Sequence, residues 1–193
     1  MPVTAQRLLD AATDGSRSFM TIDVLSTGHF YTIALALCMV WVVVSDTWNY
    51  IISNTLNAFI LALYIMAVIC LPIHDWPTAL GAAVLILIVG LGLFALGLMG
   101  GGDIKLLVVL SLWTGWGMPT LEFIFMTAIF GGLLVIVVLI ARAILPGIWL
   151  KARPTRNLPR ILTRKQPVPY GIAIALAFSW LLWGGRVPGL VAL

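Results

Sequence analysis

Six mostly apolar stretches divide this chain, at roughly His29–Ser45, Thr55–Ile73, Ala79–Met99, Ile104–Gly117, Thr120–Leu145 and Val168–Gly185. A helix that crosses a bilayer needs about 20 such residues, with a range of about 17 to 25. The expectation is an all-α polytopic membrane protein, with six transmembrane helices in one bundle over residues 29–193. The fourth stretch is short. It suits a helix tilted in a thinned region, or one that begins at the edge of a water-filled cavity. Composition agrees: 62% of residues are hydrophobic and 9% charged, against about 25% charged in a soluble domain. So few charges cannot cover a water-facing surface, and a soluble domain is excluded.

The charges that remain are unevenly placed. Seven of the eleven Lys and Arg lie between Arg142 and Lys165. They are Arg142, Lys151, Arg153, Arg156, Arg160, Arg164 and Lys165, with no acidic residue among them. This is a local loop feature and not a nucleic-acid footprint, so the basic loop 146–167 is expected on the cytoplasmic side. It fixes topology, and it also suits anionic lipid head groups. Counting back from it, the connection near Met118-Pro119 lies outside, Gly100–Asp103 inside, His74-Asp75 outside and Asp46–Asn54 inside. The polar segment 1–28, with Arg7, Asp10, Asp14, Arg17 and Asp23, falls on the outer, periplasmic side. No small-residue cleavage site follows the first apolar run, so that run is read as a membrane helix and not as a cleavable signal.

This parity brings two distant acids to one level. Asp46 ends the first stretch and Asp103 precedes the fourth, 57 positions later. Both are expected at cytoplasmic helix ends, whereas Asp75 and Glu122 fall at the other side. An ionisable residue at a membrane boundary is costly and is a functional-site hypothesis by default. Two neighbouring carboxylates in low dielectric do not both ionise readily. A charged and a neutral carboxyl side by side are what aspartic proteolysis requires: one takes a proton from water while the other polarises the scissile carbonyl. Asp103 follows Gly100-Gly101-Gly102, where the absence of Cβ atoms gives an extended substrate strand room. Its position at a helix N-terminus favours negative charge, and an N-cap role is compatible with catalysis. Lys105 either tunes the pair or snorkels to lipid phosphate.

These residues carry a resemblance. Met99-Gly100-Gly101-Gly102-Asp103-Ile104-Lys105-Leu106 looks like the GxGD-x-K-L motif of prepilin peptidases. Ser45-Asp46-Thr47-Trp48-Asn49-Tyr50-Ile51-Ile52-Ser53-Asn54 resembles the family's first motif, an Asp followed by a helix break and I-P-N. Val168-Pro169-Tyr170-Gly171-Ile172-Ala173 resembles its late P-x-G-x-A motif. Three motifs in order, with the matching helix count, span nearly the whole chain. Ser53 stands where the family usually has Pro; Ser can also cap a helix.

The resemblance implies a GxGD aspartic endopeptidase bundle in the bacterial inner membrane. Such an enzyme cuts type IV prepilins or pseudopilins on the cytoplasmic side, after a glycine that precedes the pilin's hydrophobic helix. It implies Asp46 and Asp103 as the catalytic pair, with Gly100, Gly101, Gly102, Lys105, Asn54, Pro169, Tyr170 and Gly171 binding substrate or supporting the site. The absence of a methyltransferase region resembles the small peptidase-only branch that serves Flp pili. Membrane lipid and other pilus assembly proteins are further expected partners, and no cofactor or metal is expected. A non-catalytic membrane assembly factor and a GxGD protease with other substrates are the alternatives.

Other residues have plainer readings. Asn54 and Asn57 suit caps of the second helix, and Tyr170 and Gly171 suit close helix packing. Gly81, Gly90, Gly92, Gly97, Gly131 and Gly132 read as helix-contact positions. Trp48, Trp76, Trp113, Trp116, Trp149, Trp180 and Trp183 read as interface anchors. Cys38 and Cys70 read as buried apolar packing and not as a disulfide. His74-Asp75 is too thin for a metal site, and Glu122 reads as an ordinary outer-interface residue.

Overall fold

The computed structural model describes residues 27–49, 51–70, 76–152 and 168–192, with side chains on α5 (below) described as far as Ile144. Six helices account for nearly all of these residues. They are α1 (Thr27–Asn49), α2 (Asn54–Cys70), α3 (Trp76–Ala95), α4 (Gly101–Thr114), α5 (Met118–Ala152) and α6 (Tyr170–Trp183). Among the described residues there is no strand. Each apolar stretch is a helix because, in lipid, only internal backbone hydrogen bonds satisfy the N–H and C=O groups. Three helices are long and apolar enough to cross a membrane alone: α1, α3 and the Met118–Ile144 part of α5. With α2 and α6 as shorter apolar helices, the chain is a helical membrane protein.

The two shortest helices form the centre. Along 14 residues, α4 extends about 21 Å at 1.5 Å per residue, less than the roughly 30 Å hydrocarbon core. Beyond its start, where Lys105 is exposed, its side chains are buried on every side: Leu106, Leu107, Val109, Leu110, Leu112 and Trp113 each meet protein. A helix apolar on every side belongs inside a bundle. Likewise α6 buries Ala173, Ile174, Ala177, Phe178, Leu181 and Leu182. Leu35, Met39 and Val42 of α1 and Ile60 of α2 complete this core. By contrast α3 and α5 turn Ile88, Leu91, Leu133 and Val137 outward, as suits helices covered by lipid.

Helix ends depart from the hydropathy boundaries for local reasons. α3 stops at Ala95 and not at Met99. Gly97 takes φ 70°, and Leu98 N–H reaches the Leu93 carbonyl (2.9 Å) while Gly97 N–H reaches Phe94 (2.9 Å). This is a Schellman stop, so Gly97 is a turn residue and not the helix-contact position expected. α4 starts three residues early, at Gly101, with Gly100 as its N-cap. Asp103 therefore lies inside the first turn and is not the cap. α5 continues through Pro146 to Ala152, so the first residues of the expected basic loop are helical. Charge ends an apolar run but not a helix, and Pro within a helix costs a hydrogen bond without necessarily ending it. The rest of that loop, His74-Asp75, the side chain of Trp149 and the segment 1–26 lie outside the described residues.

Trp113 is a further correction. It is 1% exposed, with its ring 5.5 Å from Tyr64 and 6.1 Å from Tyr31, so it is a core residue and not an interface anchor. Trp48, Trp76, Trp116, Trp180 and Trp183 are exposed, consistent with anchoring. Cys38 is buried and Cys70 exposed, and both are free thiols. Cys70 ends the described part of α2, where the helix face turns outward.

Candidate active site

The C-terminal ends of α1 and α3 and the N-terminal ends of α2, α4 and α6 meet at one end of the bundle. They enclose an open pocket of about 590 Å³. Asp46 and Asp103 both line it, with Asn54, Gly100, Gly101, Gly102, Lys105, Pro169 and Tyr170. Residues 57 positions apart in sequence thus share one cavity, close enough for their charges to interact. Asp46 is buried, Asp103 half-buried and Lys105 exposed.

Asp46 is held by the start of α6. Its Oδ2 accepts the backbone N–H of Ile172 at 3.2 Å, and the Gly171 N–H also points to it. The first N–H groups of a helix have no partner inside that helix, and a carboxylate there is further favoured by the helix dipole. Asp46 therefore serves α6 as a cap supplied by another helix. Gly171 makes the approach possible, because a Cβ there would lie 2.8 Å from Asp46 Oδ2 and 2.9 Å from Ile52 Cδ1. Gly171 is thus set against Asp46 itself, which a general role in helix packing does not require.

Asp103 is the third residue of α4. Its carboxylate turns back toward the backbone N–H of Gly100, as the third residue of a capping box does. A Cβ at Gly100 would stand 2.9 Å from Asp103 Oδ2. At Gly102 a Cβ would meet Ile52 Cβ at 3.5 Å. Ile52, which is 6% exposed, is therefore wedged between the starts of α4 and α6. Its backbone neighbour Ile51 is fixed by a 2.8 Å bond from Ser45 Oγ to the Ile51 carbonyl. The α1–α2 connection is consequently a built part of the pocket wall.

At the rim, Lys105 Nζ donates to Asn54 Oδ1 at 3.0 Å. Asn54 ties α2 to α4 and does not cap α2. The cap is Ser53, whose Oγ accepts the Leu56 N–H at 3.1 Å, so the residue standing in place of Pro still starts the helix. Asn57 lies one turn deeper and is buried. It is a core position, and neither a cap nor a pocket residue. Ile51, Ile52, Gly97, Leu98, Met99 and Val168 also line the pocket and were not expected there. Ile51, Ile52, Met99 and Val168 stand inside the motif segments without being among the expected site residues, and Gly97 and Leu98 lie just before one. Glu122 lies at the other end of the bundle, paired with Arg186.

Among the described residues no group of three or more His, Cys, Asp or Glu side chains is arranged to hold a metal ion. The pocket offers two carboxylates, one ammonium, backbone amides and a glycine-lined wall. Such a set can bind an extended chain and exchange protons with water.

No curated protein and no solved structure matches this sequence. The type IV leader peptidase family matches it over residues 33–137, a span that takes in Asp46, Asn54 and the Gly100–Lys105 segment and stops short of Pro169. With more than half of the chain matched, and both aspartates inside the matched span, this helical membrane protein belongs to the type IV leader peptidase family, and is by that membership a peptidase.

Proposed function

We propose that this chain is an aspartic endopeptidase that removes the leader of type IV or Flp-type prepilins at the cytoplasmic face of the bacterial inner membrane. One observation carries the reading: two carboxylates from different helices line a single open pocket at one end of the bundle. Neighbouring carboxyls share a proton because their like charges disfavour double ionisation. The charged member takes a proton from a water molecule, and the water oxygen bonds to the scissile carbonyl carbon. The neutral member hydrogen-bonds the carbonyl oxygen as it gains charge. Collapse of the tetrahedral adduct re-forms C=O and breaks C–N, and the departing amine takes the proton. The two sites titrate as a pair.

The pocket wall suits this substrate. Gly100, Gly101 and Gly102 leave space for an extended strand beside Asp103, and Gly171 lets α6 hold Asp46. The basic run after Arg142 supports a cytoplasmic position for this end, because α5 runs from the Glu122 end of the bundle toward the pocket end. Co-expression with a Flp-type prepilin tests the proposal by gel shift and N-terminal sequencing. A new N-terminus just after the leader glycine is expected, insensitive to metal chelators and serine-protease reagents. Strong inhibition by a chelator, or no cleavage by folded protein, contradicts it.

A further inference from the structure

A second cavity adjoins the pocket. It measures about 750 Å³, and its lining is almost wholly apolar, with contributions from α3, α4, α5 and α6. α3 packs on α4, and α5 packs on α4 and α6, but among the described residues α3 and α5 make no more than marginal contact with each other. The result is a groove with α3 and α5 as walls and Leu107 of α4 and Ile174 of α6 in its floor. Leu85, Val89 and Ile136 on its walls are each about half exposed, so the groove is open to the outside of the bundle. Met99 and Tyr170 line both this groove and the aspartate pocket, so the two spaces share a boundary.

We propose that this groove seats the apolar membrane helix of the substrate, so that the chain leaves the groove past Met99 and Tyr170 and reaches Asp46 and Asp103 extended. The inference rests on the peptidase reading above. Three observations favour a helix over a lipid tail. The groove is continuous with the site of cleavage, where the substrate's apolar segment must begin. Its α5 wall presents small residues four apart, Thr127 with Gly131 and Ala128 with Gly132. That spacing lets two helix backbones approach, and an acyl chain has no use for it. At Gly132 a Cβ would meet nothing within 4 Å, so the wall is open where a partner backbone would lie. A substrate segment inside the bilayer is itself helical, because its backbone groups have no water to bond.

The test compares Gly132→Trp, which fills the groove, with Leu133→Trp at a neighbouring position that does not line it. Leu133 is 57% exposed. KM and kcat are measured on full-length prepilin in vesicles. Gly132→Trp is expected to raise KM about tenfold or more while kcat changes little, and Leu133→Trp to change neither. A second measurement needs no cleavage. Gly132→Cys, in a Cys70→Ala background, is oxidised with prepilin carrying one cysteine in its apolar helix, and Leu133→Cys is the control. A cross-link at position 132 alone supports the groove. Cleavage by wild type with equal effects at 132 and 133, or with no cross-link at 132, overturns the groove and leaves the peptidase reading intact. A cross-link at 132 with no cleavage by wild type does the reverse.

Discussion

The two ends of this bundle treat their acidic groups in opposite ways. At the end that holds the starts of α1 and α5, the acid and several hydroxyls are closed off by protein partners. Thr114 and Thr120 share a 2.6 Å hydrogen bond, Glu122 pairs with Arg186, and Thr32 Oγ1 donates to the carbonyls of Gly28 (2.9 Å) and Val191 (3.0 Å). At the other end, Asp46 and Asp103 face an open cavity and each other's charge. Their support comes from the backbone amides of Gly171, Ile172 and Gly100. Closed pairs hold helices in place. Carboxylates held by amides and open to a cavity keep oxygen atoms available for chemistry.

The contrast breaks most sharply at the acids. Asp46→Asn or Asp103→Asn is expected to lower cleavage by about a thousandfold or more, with membrane insertion and thermal melting close to wild type. Next comes Gly171→Ala. Its Cβ would fall 2.8 Å from Asp46 Oδ2, so kcat should drop by roughly ten- to a hundredfold as Asp46 is displaced. Gly92→Ala, where a Cβ meets nothing within 4 Å, should leave the rate unchanged. Cutting the rim contact with Lys105→Met or Asn54→Leu removes one exposed hydrogen bond. A loss of about 0.5–1.5 kcal/mol in transition-state or fold stability is expected, read as a several-fold drop in kcat/KM. The smallest effect belongs to the far end. Arg186→Met breaks a partly exposed ion pair, costing about 0–1 kcal/mol of stability with cleavage within about twofold of wild type. If Arg186→Met abolished cleavage while Gly171→Ala did not, the division between the two ends would be wrong.

Much of this was legible in the sequence, for identifiable reasons. The apolar runs announce helices because lipid leaves the backbone little alternative. Alternating helix direction puts Asp46 and Asp103 at one end whatever the details of packing. Local ends were less legible. Leu96, Leu98 and Met99 are apolar, so hydropathy ran α3 through a turn that only the φ of Gly97 and its hydrogen bonds reveal. Trp113 sits near a helix end, and nothing in its neighbours in sequence reports that Tyr31 and Tyr64 enclose it. Gly171 was readable as a packing glycine, but its 2.8 Å approach to Asp46 depends on how α1 and α6 meet. Ile52 is of the same kind, since its wedge position depends on Gly102 and Gly171, 50 and 119 residues away. Pairwise packing between distant segments is what periodicity cannot supply.

The central claim is that Asp46 and Asp103 act as one catalytic unit. The most direct test measures prepilin cleavage by wild type, Asp46→Asn, Asp103→Asn and the double variant, in the same vesicles and at matched protein levels. Residues that act together are strongly non-additive. The account predicts that both single variants fall to the background of the double variant. Substantial cleavage by either single variant, or losses that multiply in the double, would contradict it.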